Sequence, residues 1–197
     1  DISSNQAIAI FLSPTRELAI QTHLETQRFF RTVGLESACL VGGNDIKDQI
    51  RSIKNGAHAI IATPGRFIDL IVQKRWFNVS RISFFVIDEA DRMFDLGFEP
   101  QVHRIAAILR PDRQSLMFSA TFPHSVERNA RKLLKHPIEI VVGSRNSVAP
   151  SIEQHFAVIP KDQKLRMLLK VLGDFQDIGQ ALVFVNQQDS AETLFDL

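Results

Sequence analysis

At 197 residues, 45% hydrophobic and 23% charged, the chain can bury a substantial core, and its length suits one domain with part of another. A net charge of +1 argues against a protein that coats nucleic acid by bulk electrostatics, so any such contact must be local. No run approaches the ~20 apolar residues of a bilayer span, the opening residues lack an export signal, and the single Cys39 excludes an intrachain disulfide framework.

In chain order, Ala7-Ile8-Ala9-Ile10-Phe11-Leu12 reads as a strand and residues 17–32 as an amphipathic helix. Further strands are expected at 37–41, 57–62, 82–87, 115–119 and 138–142, separated by helices that begin near Ile46, Gly65, Glu99 and Ser125. Strands apolar on both faces and alternating with helices imply a parallel sheet covered on both sides, a doubly wound α/β domain. Residues 144–152 have linker composition. Beyond them strand, helix, strand and helix are expected to resume at Glu153, Asp162, Gln180 and Asp189, as the opening of a second α/β domain too short to be complete. Charge changes with the organisation: basic residues exceed acidic ones by four up to residue 150, and acidic exceed basic by three after it. The six histidines are dispersed, and no structural metal is assigned.

Ligands of such sheets bind beyond the carboxyl ends of the strands. The residues found there are Ser13-Pro14-Thr15-Arg16, Gly42-Gly43, Thr63-Pro64-Gly65-Arg66, Asp88-Glu89-Ala90-Asp91 and Ser119-Ala120-Thr121. Phe84-Phe85-Val86-Ile87 followed by Asp88-Glu89 delivers two adjacent carboxylates to a strand end. Nucleotide hydrolysis uses such a pair, one to hold hydrated magnesium and one to position or deprotonate the attacking water. An acidic cap on the next helix would explain Asp88 or Asp91 equally well.

In order and spacing, these segments resemble the DEAD-box RNA helicases. Pro14-Thr15-Arg16-Glu17-Leu18-Ala19-Ile20-Gln21 is similar to their motif Ia, Gly42-Gly43 to their glycine doublet, and Thr63-Pro64-Gly65-Arg66 to motif Ib. Asp88-Glu89-Ala90-Asp91 is similar to motif II, Ser119-Ala120-Thr121 to motif III, and Leu182-Val183-Phe184-Val185-Asn186-Gln187 to motif IV. The resemblance covers nearly the whole chain. It implies most of an N-terminal RecA-like domain over residues 1–143, incomplete at its start, and the beginning of a C-terminal RecA-like domain over 153–197.

It also implies roles. Asp88 would hold Mg2+ through water, Glu89 would activate the hydrolytic water, and Asp91 would meet the hydroxyls of Ser119 and Thr121 to couple ATP to domain closure. Capping of the helix after Pro123 is the plainer reading of those hydroxyls. A helicase indifferent to sequence holds phosphates and sugars, so small residues, hydroxyls and guanidinium groups suit its RNA face. By resemblance that face comprises Pro14, Thr15, Arg16, Gly43, Thr63, Gly65 and Arg66, although Arg16 could pair instead with an acidic neighbour. The phenylalanines, Phe98 included, are expected in the core rather than as base stackers, and Trp76 beneath a loop.

There is no Gly-Lys pair in the sequence for a phosphate-gripping loop. That loop and the arginine motif of the second domain are expected beyond the two ends, so residues 1–197 alone are predicted not to turn over ATP. The competing class is an RNA-binding or scaffolding module without ATP turnover; Glu89, which such a module does not need, favours the enzyme. Phe94-Asp95-Leu96-Gly97-Phe98-Glu99-Pro100-Gln101 and Arg110-Pro111-Asp112-Arg113-Gln114 resemble the subgroup that remodels RNA at branch-site recognition in early spliceosome assembly. That similarity implies a nuclear monomer with RNA and spliceosomal proteins as partners and no membrane, with a cytoplasmic helicase as the alternative.

Overall fold

Four-residue apolar strands build the sheet, and they are β1 (Ala9–Leu12), β2 (Ser37–Leu40), β3 (Ala59–Ala62), β4 (Phe84–Ile87) and β5 (Gln114–Met117). The computed structural model of the chain describes residues 7–73, 77–143, 148–149 and 151–196. All strand pairs are parallel, in the order β2-β3-β1-β4-β5, so chain direction across the sheet reverses around β1. The last residues of the strands, Leu40, Ala62, Leu12, Ile87 and Met117, pair with one another in register. The loops that follow therefore leave the sheet along one row.

Side chains alternate between faces, as the two-residue strand period requires. Ile10, Leu12, Leu40, Ile60, Phe85 and Ile87 point into the main core. There they meet α2 (Ile46–Lys54), α3 (Pro64–Phe67) with its π-helical continuation Ile68–Gln73, α4 (Ala90–Asp95), α5 (Glu99–Ile108) and α6 (His124–Leu133). Ala59, Ile61 and Val41 point the other way, toward Ala19 and Phe30 of α1 (Arg16–Arg31). That helix packs on β2 and β3. Phe84 and Phe118 are 42% and 54% exposed. Core positions were expected for both, but strand parity puts them on the α1 face at β4 and β5, where among the described residues no helix covers them. Phe98 packs against the main core, as the sequence suggested, and Trp76 lies outside the described residues.

The strand expected at residues 138–142 does not form, and Ile138 and Val142 are 88% and 93% exposed. An apolar β-branched run is only competent to be a strand; hydrogen bonding to a neighbour makes it one. The described sheet, β2-β3-β1-β4-β5, does not include this run. The same correction applies at Glu153 and Gln180, where no strand is present. By contact the chain separates into residues 1–147 and 148–197. The second unit contains α7 (Lys164–Phe175) and α8 (Gln188–Phe195), and none of its described residues is buried.

Candidate functional site

The row of strand ends places the expected site residues side by side. Neighbouring strands lie ~4.8 Å apart, so the five loop origins span roughly 19 Å. Gly43, Thr63 and Thr15 follow β2, β3 and β1, whereas Asp88 and Ser119 follow β4 and β5. The residues expected to touch RNA thus occupy one half of the rim and the acidic residues and motif III hydroxyls the other.

On the acidic half, Asp88 donates its N–H to the Leu12 carbonyl at 3.0 Å, which ties the end of β4 to β1. Its Oδ1 accepts the Glu89 N–H at 3.0 Å, and its second oxygen has no partner among the described residues. Glu89 adopts the left-handed conformation, φ 46° and ψ 53°, uncommon for a residue with a Cβ. The turn is held open at both sides: Ala90 N–H reaches the Phe118 carbonyl at 3.0 Å and Met93 N–H the Glu89 carbonyl at 2.9 Å. Glu89 Oε2 is shut off from solvent without a hydrogen bond among the described residues, and Arg92 Nη1 at 3.8 Å is near enough for attraction only. Two adjacent carboxylates with open acceptor positions fit the donor set of a hydrated magnesium ion and a water to be activated.

Asp91 and motif III interlock. Asp91 Oδ2 accepts both the Thr121 hydroxyl at 2.6 Å and the Thr121 N–H at 2.9 Å. Ser119 Oγ accepts the Asp91 N–H at 3.1 Å and donates to the Thr121 carbonyl at 2.7 Å. Burial pushes the Asp91 carboxyl up, but bonds from the Thr121 hydroxyl and N–H, the Arg92 N–H and Ser119 outweigh it and hold it below the ordinary aspartate value. Neither hydroxyl caps α6, whose N-cap, Pro123, makes no side-chain bond.

On the other half, Thr15 caps α1, its hydroxyl accepting the Leu18 N–H at 3.3 Å while its own proton stays available to donate. Arg16 is exposed and donates to Asn44 Oδ1 at 3.3 Å, with no acidic partner among the described residues. Gly43 has φ +77°, and a Cβ there would overlap the Arg16 guanidinium. Gly65 is exposed with open space at its Cβ position, and among the described residues the Thr63 side chain makes no capping bond and the buried Arg66 Nη1 has no partner. Pro14, in the turn after β1, is buried.

Sequence reading missed four polar groups. Asn44 seats Arg16. Gln49, 5% exposed, bonds the main chain of Val41. Ser13 Oγ and Gln101 Oε1 are buried and unpartnered, like Arg66 Nη1 and Glu89 Oε2. Three of these four orphans lie within four residues of a strand's carboxyl end, and Gln101 is on α5, which packs against α3. The signal in the sequence was a polar residue at an apolar-phase position, visible for Gln49 and not for the others.

A parallel sheet with helices on both faces, whose carboxyl rim gathers paired carboxylates, hydroxyls and arginines, defines a doubly wound α/β domain with its ligand site at that rim. More narrowly, the chain belongs to the DEAD/DEAH box helicase family, whose model matches residues 2–130. It is 46% identical over 190 residues to the ATP-dependent RNA helicase ddx46 of Dictyostelium discoideum, covering 95% of this chain and 16% of that protein. To the probable ATP-dependent RNA helicase DDX46 of Homo sapiens it is 47% identical over 189 residues, 95% of this chain and 18% of the relative. To the pre-mRNA-processing ATP-dependent RNA helicase prp5 of Neosartorya fischeri it is 48% identical over 194 residues, 95% and 16%. The chain therefore spans less than a fifth of the length of these relatives.

Proposed function

We propose that the whole protein is an ATP-dependent RNA helicase that remodels RNA or ribonucleoprotein during pre-mRNA splicing, and that this chain supplies the water-activating and part of the RNA-holding machinery. The observation that carries the reading is that Ser13 Oγ, Arg66 Nη1 and Glu89 Oε2, in loops along one row of strand ends, are buried with no partner among the described residues, as is Gln101 Oε1 on the helix packed beside α3. An unsatisfied buried polar group costs about 1–3 kcal/mol, and more when charged. Bound ligand atoms would repay that cost.

In this reading Asp88 holds a hydrated magnesium ion, which would neutralise phosphate charge, and Glu89 aims its sheltered oxygen at the attacking water and takes its proton. Asp91, kept ionised, locks Ser119 and Thr121 so that a change around the nucleotide is felt in the loop after β5. Thr15, Arg16, Thr63 and Arg66 meet phosphate and sugar oxygens, and Gly43 and Gly65 let the RNA backbone approach. Residues 1–143 form most of the ATP-binding domain, 144–152 a linker and 153–197 the start of the second domain. The named relatives support the splicing role, and with it a nuclear location and spliceosomal partners; we assign the protein as a monomer.

The test is RNA-stimulated ATP hydrolysis by the full-length protein. Glu89→Gln should lower turnover at least about a hundredfold, in the range of a lost general base, and residues 1–197 alone should show none. In a nuclear extract depleted of the protein, wild type should restore splicing and Glu89→Gln should not. Retained hydrolysis in the variant would remove Glu89 from its role, and RNA binding without any hydrolysis by wild type would favour a scaffold.

A further inference from the structure

β2 forms one border of the sheet, and no described strand lies beside its outer edge. Main-chain groups of Glu36 and Leu40 face β3, where their carbonyls accept the N–H of His58 at 2.8 Å and of Thr63 at 3.0 Å. By the two-residue period, the N–H and C=O of Ser37, Cys39 and Val41 point out of the sheet. Val41 is closed off: Gln49 accepts its N–H at 3.1 Å and donates to its carbonyl at 3.0 Å, as a neighbouring strand would. Ser37 and Cys39 have no equivalent main-chain partner among the described residues. They floor a groove of about 850 Å3 walled by His23 of α1 and by Asp48 and Ser52 of α2.

The groove is acidic. Glu36, Asp45 and Asp48 line it, and among the described residues no lysine or arginine does. Burial lowers the His23 pKa against the opposing pull of Glu36, so the ring adds no positive charge at neutral pH. Arg51 pairs with Asp48 at 3.0 Å, but both side chains are about 70% exposed, and such pairs are weak enough to exchange. Edge strands are commonly blunted by lysine, proline, a bulge or a cover. Ser37-Ala38-Cys39-Leu40 has none of the first three, and the Gln49 amide covers only its end.

We infer that this groove docks an extended basic segment of a partner protein, which adds as a strand beside β2, pairing with the main chain of Ser37 and Cys39 while its cations meet Glu36, Asp45 and Asp48. Main-chain pairing supplies the affinity and alternate side chains the selectivity in this mode of recognition. The strand runs directly into Gly42-Gly43, so the partner would sit next to the Arg16–Asn44 contact. The inference does not depend on the proposed helicase activity.

The probe is a fluorescein-labelled octapeptide of alternating lysine and valine, blocked at both ends, titrated against the full-length protein by anisotropy, with a glutamate–valine peptide as control. Saturable binding is expected for the lysine peptide, at least about tenfold tighter than for the control. Cys39→Pro removes an outward N–H that the ladder does not use, a position where edge strands tolerate proline. That variant and Asp48→Lys should each weaken binding severalfold, and bound peptide should slow hydrogen exchange at the Ser37 and Cys39 amides. Should Cys39→Pro fail to fold, Asp48→Lys and the exchange data decide. Absence of saturable binding, affinity unchanged in the folded variants, or amides of Ser37 and Cys39 already protected in the free full-length protein would each overturn the inference; the last would mean that its own chain covers the edge.

Discussion

Asp91 shows how one residue can join two loops of the rim. Its Oδ2 receives two bonds from Thr121 and its N–H reaches Ser119, so three hydrogen bonds tie helix α4 to the loop after β5. Since the folded carboxyl titrates below its unfolded value of about 3.9, its stabilising contribution is complete above that pH and is lost as pH falls through the lower folded value. Asp91→Asn should therefore be less stable than wild type at pH 7, by about 1 kcal/mol or less because the group is only partly sheltered from solvent. Urea unfolding should show that gap narrowing as the pH falls below the ordinary aspartate range. A gap constant with pH would mean that the ionised form is not what the Thr121 bonds select. Cys39 behaves oppositely: burial pushes its thiol up to about 11, so it stays protonated and packs as a small apolar side chain.

At the scale of elements, caps and strand ends decide where the periodic patterns stop. Helix α4 has six residues, too few for an amphipathic period to declare itself, and it ends where Gly97 at φ +79° lets Phe98 N–H return to the Met93 carbonyl at 3.1 Å. The turn after α5 is largely self-contained. Arg110 makes a two-pronged pair with Asp112, both bonds 2.6 Å, while Arg113 Nη1 donates to the carbonyls of Arg110 at 2.9 Å and Leu109 at 3.4 Å. Arg113 also lies 5.6 Å over the Phe85 ring. The basic residues that resembled a splicing subgroup are thus engaged in closing α5 and entering β5. Arg113→Ala should cost about 1–2 kcal/mol in urea unfolding through the lost carbonyl bonds and ring contact. It should leave RNA-stimulated hydrolysis by the full-length protein within about twofold, since no described contact links Arg113 to the rim.

At the scale of the molecule, residues 7–143 gather all of the buried core, and residues 148–197 have no buried side chain among those described. Two short helices with solvated apolar faces cannot offset the entropy of ordering them, about 1–2 kcal/mol per residue in the backbone. A peptide of residues 148–197 should accordingly melt without a cooperative transition by circular dichroism; a sharp transition would show a core that this structure does not contain. The same physics explains what could be read in advance. Unbroken apolar runs such as Ile60-Ile61 and Phe85-Val86-Ile87 belong in a sheet buried on both faces, and the long-period helices announced themselves by spacing. Residues 138–142, apolar except for Glu139, read as a strand and form none, because competence for a strand is local and pairing is not.

By itself the sequence determined the class of fold, the order of the five sheet strands and the residue types at the strand ends, because hydrophobic period and residue chemistry are properties of neighbours along the chain. Only the tertiary structure decided the rest. In-register strand ends put Gly43, Thr63 and Thr15 on one half of a rim and Asp88 and Ser119 on the other. A left-handed Glu89 sheltered one carboxylate oxygen, Pro14 went inside, and Gln49 closed part of an edge that Ser37 and Cys39 leave open. Each of these depends on groups distant in sequence meeting in space, and on hydrogen bonds that exist only where a partner has been brought alongside.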